Sequence, residues 1–277
     1  GDIYANVHTE QAPGGEIRGQ LDGPRTVTLP YMLILLPPSE SKATGGRGER
    51  LDLDALSFPE LNPTRRRLIT ALTALAADVP ASLTALGLSE RQADEVERNA
   101  RLLTSPTMPA LRRYTGVLYD ALAPGGFTRA ERARAERRLV TASALFGLVR
   151  AAERIPAYRL SGGSTLPGLP TLRALWRPVL EPTLAGFDGL LVDLRSGTYS
   201  ALARTPGAVT VRVVTEDGTG RRKTVSHHNK AYKGKLAAEL ARCRREPETI
   251  DDLLLVASSC GFKIEQSGPR QLELLTE

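Results

Sequence analysis

Residues 32–42, MLILLPPSESK, decide how the rest of the chain is read. The unbroken apolar run from Met32 to Leu36 reads as a short strand buried on both faces, closed by Pro37 and Pro38. Polar residues 39–42 follow directly, at a strand end, which is where sheet proteins gather their sites. A second apolar run, LLVDL at 190–194, reads the same way, and Ser196 and Gly197 follow it. Two such strand ends facing one cleft would suffice to build a site.

Outward from these runs the pattern is mixed. Val209, Val211 and Val213 alternate with polar neighbours, and the EDGTG turn at 216–220 leads to a partner strand near 223–225, which predicts a hairpin. A second hairpin is predicted at 262–275, where FKIEQ and QLELL flank SGPR. Helices are predicted over 128–150, 231–245 and 249–259. Capping-box spacings mark helix starts at Ser89/Gln92 and Thr128/Glu131, and Gly261 sits where a left-handed cap would stop the last helix. Within 128–150 the first half bristles with Arg and Glu, whereas Leu139, Ser143, Phe146 and Arg150 recur at helical spacing, so the second half is expected to be buried. Trp176, the sole tryptophan, is expected in the core.

A chain of 277 residues, 41% hydrophobic and 25% charged, can bury a sizeable core without staples. Its two cysteines, Cys243 and Cys260, are isolated and fit free thiols in a reducing compartment. No run approaches the length of a membrane span, so a cytoplasmic protein without membrane contact is expected. Residues 1–31 differ from the rest: they are turn-rich, lack periodicity and lack the regions of a secretory signal. They read as a leader or flexible extension ahead of a single domain over 32–277.

Charge is unevenly spread. The net +6 of the whole chain coexists with acidic ends, for residues 1–31 hold two arginines against four acids and residues 246–277 two cations against seven acids. The middle is therefore strongly basic, which predicts a surface that attracts phosphate-bearing partners, although scattered arginines are also an ordinary solvated surface. Within it, VSHHNKAYKGK at 225–235 gathers two of the three histidines with three lysines, where a strand hands over to a helix. Lys230 and Lys233 lie three apart, with Tyr232 beside them as a stacking surface. Cations at a helix N-terminus oppose its dipole, which argues for an anion site over a role in stability alone. Two adjacent histidines rarely converge on one metal, and no metal site is expected.

Six blocks then occur in the order found in one family: MLILLPPSESK at 32–42, YTGVL at 114–118, ALFGLVR at 144–150, IPAYRL at 155–160, VDLRSGTY at 192–199 and VSHHNKAYKGK at 225–235. In these the chain resembles the YaaA (UPF0246) peroxide-stress proteins, in an actinobacterial branch, from Met32 to the C-terminus. The resemblance implies a cytosolic α+β protein with a central mixed sheet wrapped by helices. It also implies a role in surviving hydrogen peroxide by limiting free iron, and DNA binding through a basic cleft and a helix-hairpin-helix element. Residues 83–93, LTALGLSERQA, have the outline of that hairpin, but Ser89 stands where a second glycine is usual.

Two functions follow from the residues. The first is a DNA-binding stress protein contacting duplex or branched DNA without reading sequence, with Lys42, Arg150, Arg159, Arg195, Lys230, Lys233 and Lys235 as its anion-binding candidates. The second is an enzyme on a nucleotide-like or nucleobase substrate in the same cleft. Its catalytic candidates are Ser39, Lys42, Tyr158, Tyr199 and His227, with lysine or tyrosine moving protons and Arg159 holding an anion. Asp193, Arg195 and Tyr199 either order the cleft or form a buried ion pair with Arg159. No P-loop, dinucleotide fingerprint or nucleophile elbow is present, so no cofactor is expected and no reaction is named.

Overall fold

The computed structural model describes residues 4–9, 12–20, 32–224 and 229–276. It divides into two compact units, Gly1–Pro30 and Tyr31–Glu277. In the first, strands β1 (Tyr4–Thr9) and β2 (Ala12–Gln20) pair antiparallel. A turn-rich sequence without apolar periodicity thus forms a hairpin, because the pairing runs through backbone groups and needs no apolar face.

The second unit is built on an eight-stranded mixed sheet. Its strands are β3 (Met32–Leu36), β5 (Leu139–Ser143), β6 (Gly147–Arg150), β8 (Leu190–Asp193), β9 (Val209–Glu216), β10 (Arg222–Thr224), β11 (Lys263–Gly268) and β12 (Gln271–Thr276), in the order β11-β12-β9-β8-β3-β5-β6, with β10 also on β9. Short strands β4 (Met108–Pro109) and β7 (Arg154–Ile155) pair separately. The centre is parallel: β12 with β9, β9 with β8, β8 with β3 and β3 with β5. Every residue of β3, β5 and β8 is buried, as central strands covered on both faces require, including the polar Thr141, Ser143 and Asp193. Both expected hairpins are present, β9/β10 and β11/β12. Helices including Asn62–Leu75, Arg129–Arg138, Leu172–Ala185, Asn229–Arg242 and Ile250–Ser259 complete the α+β fold. No described helix is long and apolar enough to cross a membrane.

The helix expected over 128–150 stops at Arg138. Its capping box forms as predicted, with Thr128 and Glu131 bonded reciprocally. Beyond it, Leu139–Ser143 pairs in parallel with β3, since a β-branched apolar stretch gains more from a central sheet position than from a helix. The Ser143 hydroxyl then accepts the N–H groups of Leu145 and Phe146 and turns the chain into β6. Gly147 stands at φ 72°, and a Cβ there would enter the ring of Trp176, itself fully buried with its indole N–H on the Ala144 carbonyl.

Residues 83–93 do join two helices. Helix Val79–Leu86 ends on Gly87 in the left-handed region, a single 3-10 turn carries the Ser89/Gln92 box, and helix Ala93–Ala100 follows. The first turns of that second segment carry Glu90, Asp94 and Glu95, which repel a phosphate. Arg98 is occupied by Asp94 and Glu95. The turn is therefore accounted for as a connection between helices.

Candidate functional site

Strand β3 has β5 on one side and β8 on the other, so the chain winds outward in both directions from this point of the sheet. At such a switch point the loops leaving adjacent parallel strands diverge and open a crevice at the carboxyl ends. A cavity of about 460 Å³ lies there. The loop after β3 contributes Ser39, Glu40 and Ser41, and the loop after β8 contributes Ser196, Thr198 and Tyr199. Thr115 and Gly116, the segment 161–163 and Lys230 complete the wall. Gly116 is at φ 95°, and a Cβ on it would stand 3.3 Å from the Ser39 hydroxyl, so glycine keeps this wall open.

Glu40 is the carboxylate of this wall. The Tyr199 hydroxyl donates to its Oε1 (3.2 Å) and accepts from the backbone N–H of Gly162 (3.1 Å), tying three loops together. Arg159 Nε lies 4.0 Å from Glu40 Oε2. Burial and the adjacent Glu40 carboxylate push the Tyr199 phenol well above its ordinary range, so it acts as a donor and not as a base.

Beneath this wall sits Lys42, 6% exposed. Its ammonium donates to the carbonyls of Ser39 (2.9 Å) and Glu40 (3.2 Å) and lies 4.1 Å from the centre of the Tyr158 ring. Burial lowers its pKa to about 7, opposed by Glu40 and reinforced by Arg159. The Tyr158 hydroxyl is in turn held between Tyr114 (2.9 Å) and Ser143 (2.7 Å), and burial raises its pKa well above the usual phenol value. Of the described candidates for proton transfer, Lys42 is the one that titrates near neutrality, and it does so below the cavity surface.

The structure thus brings Ser39, Tyr199 and Lys230 to one cavity, with Lys42, Tyr158 and Arg159 behind it. Other candidates go elsewhere. Arg195 clasps Asp193 through Nε (2.9 Å) and Nη2 (2.7 Å), and the same Nη2 reaches the Ala203 carbonyl. The buried ion pair is therefore Asp193 with Arg195, while Arg159 faces Glu40. Lys233 donates to the Leu194 carbonyl (3.3 Å) at the end of β8, and burial lowers its pKa. Lys235 is exposed, with its ammonium 5.5 Å from the Tyr232 ring. Arg150 lines a different cavity. His227 lies outside the described residues. Glu40 was not singled out by the sequence reading, although it is the one carboxylate in the quoted opening stretch. Among the described residues, no group of three or more His, Cys, Asp or Glu side chains is placed to hold a metal ion.

Fold and site together define an α+β protein whose mostly parallel sheet opens a polar, hydroxyl-lined cavity at its switch point. The chain belongs to the family described as peroxide stress protein YaaA, which it matches over residues 32–267. It is similar to a UPF0246 protein of Corynebacterium efficiens, 51% identical over 88% of this chain and 99% of the relative. Relatives of the same description in Corynebacterium glutamicum (47% identical, 88% and 99% covered) and Streptomyces coelicolor (43%, 86% and 94%) are similar over nearly the same span. Membership supports a role in peroxide stress. Residues 1–21 separately match the CHRD domain.

Proposed function

We propose that this peroxide-stress protein works by binding a small nucleotide-like ligand in the cavity between the β3 and β8 loops. The observation that carries this reading is the cavity itself: about 460 Å³ suits a small molecule, and its wall of hydroxyls, one carboxylate and Lys230 suits a polar, anionic one. In this reading Lys230 takes the phosphate, and the Ser39, Ser196 and Thr198 hydroxyls bond sugar or base. Glu40 and Tyr199 hold the loops in register, and Lys42 is the proton-transfer group if a reaction follows binding. A thermal-shift panel of nucleosides, nucleotides and nucleobases tests it: a saturable rise with one class, lost in Lys230→Ala and reduced in Ser39→Ala, is expected. No stabilisation by any member overturns it.

A second reading is favoured by the exposed lysines 230 and 235 on the helix whose first turn lines the cavity through Lys230, and by a sequence pI of about 9.5. In it the protein is cytoplasmic and holds DNA, duplex or branched, through its backbone, and protection from iron-driven damage follows indirectly from that binding. Affinity for DNA should then fall steeply with salt and drop equally for all sequences in a Lys230/Lys235 double variant. An absence of binding at low salt removes this reading.

A further inference from the structure

The cavity that Arg150 lines is larger, about 740 Å³, and its walls come from the loop 47–57, Thr107, Glu136 and the β6–β7 turn. Its inner wall carries an unusual charge arrangement. Arg150 extends over the Phe58 ring, 5.4 Å from guanidinium to centroid, and donates to the Arg137 carbonyl (3.1 Å). Phe58 is held at φ 62° and ψ 62°, a left-handed conformation that is strained for a bulky residue. Its carbonyl accepts from Leu61 N–H and, at 3.4 Å, from the fully buried Arg65, whose remaining donors go to Asn62 and the carbonyls of Phe146 and Leu148. Burial lowers the pKa of both Arg65, to about 10, and Arg150.

Glu153 lies near both guanidiniums and Glu60 near Arg65, and both Glu153 oxygens already accept backbone N–H groups, from Ser57 (2.5 Å) and Arg150 (2.9 Å). Arg47, Arg50 and Arg154 stand on the rim, opposite Glu49, Asp52 and Glu136. Among the described residues none of these arginines, nor Arg150, has a carboxylate within 4.0 Å. The lining as a whole is balanced in formal charge, Arg47, Arg50, Arg150 and Arg154 against Glu49, Asp52, Glu136 and Glu153, yet these arginines stand apart from the carboxylates and are not paired with them. Gly48 has a defined part in this: a Cβ on it would collide with the Arg154 guanidinium and the Thr107 hydroxyl, so glycine lets Arg154 lie flat against the loop.

We infer that this cavity is a second ligand site, separate from the β3/β8 cavity, which binds the phosphoryl group of a small molecule between Arg150 and the rim arginines. Several guanidiniums around one space offer more donors than the two oxygens of a carboxylate can accept, whereas a phosphoryl group presents three. The ring of Phe58 fixes the plane of Arg150 and so orients its fork.

Calorimetric titration of the full chain with inorganic pyrophosphate tests the assignment. A saturable binding component is expected that is weakened at least tenfold by Arg150→Gln and several-fold by Arg154→Gln and Gly48→Ala, and that persists in Lys230→Gln, which removes only a component belonging to the β3/β8 cavity. The rim variant Arg154→Gln keeps the test open if Arg150→Gln fails to fold. Absence of binding, or binding lost in Lys230→Gln but retained in the arginine variants, overturns the second site. Malonate binding as tightly as pyrophosphate overturns the phosphoryl assignment. Because the β3/β8 cavity is probed by Lys230 and this one by Arg150 and Arg154, failure of either reading is seen separately.

Discussion

The two cavities differ in what their cations are already doing. Around the β3/β8 cavity, Lys42 is bonded to the Ser39 and Glu40 carbonyls, Lys233 to the Leu194 carbonyl and Arg195 to Asp193, leaving Lys230 on the cavity wall. Around the second cavity, four arginines line one space with no carboxylate at ion-pair distance among the described residues, although Arg150 lies over Phe58 and donates to the Arg137 carbonyl. The sequence places similar positive charge in both regions. The difference teaches that a cation marks a binding surface only where the fold has not already satisfied it, since a bonded and buried cation serves the scaffold.

The largest effect should come from breaking the pair that the first region spends on itself. Asp193→Ala leaves the Arg195 guanidinium, 1% exposed, without its counter-charge, and unfolding in urea should reveal a loss of about 3–5 kcal/mol. A loss below 1 kcal/mol would mean that Arg195 is free to serve an anion after all. Next comes Gly234→Ala. A Cβ at Gly234 would strike the Leu118 carbonyl oxygen, where helix Asn229–Arg242 packs on helix Val117–Leu122, and an overpacking cost of about 1–3 kcal/mol is expected.

A smaller and pH-dependent effect belongs to Lys42. Its pKa is about 7 in the folded protein and 10.5 as the ordinary value, so between these pH values the unfolded chain holds a proton that the folded one lacks. Stability must therefore rise with pH across that window, by up to about 1.4 kcal/mol per unit. Comparing denaturation of the wild type with Lys42→Met at pH 6, 8 and 9.5 isolates the group: the difference should narrow or reverse in favour of the wild type as pH climbs. A constant difference would place the Lys42 pKa near its ordinary value and remove it as a neutral-pH proton carrier. The smallest effect is expected for Lys230→Ala and Lys235→Ala, exposed side chains whose loss should change stability by less than about 0.5 kcal/mol while altering ligand or DNA binding.

Much of this could be read before folding, for identifiable reasons. The two apolar strands needed only their composition, the hairpins at 209–224 and 263–276 their turn residues, and the helix starts at Thr128 and Thr249 a side chain that reaches its own backbone. The sequence raised the loops after β3 and β8 as edges of a cleft, and that they share one cavity is seen only in the parallel pairing of the two strands. What could not be read was anything decided by a distant partner. Leu139, Ser143 and Phe146 match a helical repeat, yet β3 recruits Leu139 into the sheet and β6 pairs with Ser143. The fates of Lys233 and Arg195 depend on a carbonyl and a carboxylate set at the tip of β8, and the contact of Gly234 with Leu118 is invisible in either segment alone. Glu40 was passed over because its importance comes from Tyr199, 159 positions away.

The placement of β12 bears on how the sheet is made. It follows β11 in the chain yet lies between β11 and β9, in parallel with β9 over Thr210 to Thr215. Until β12 pairs, β9 keeps one edge open, the other being held by β8 and β10, and β11 lacks its partner strand. A folding chain carries that edge exposed until then, and a neighbouring chain can reach it before the sheet closes.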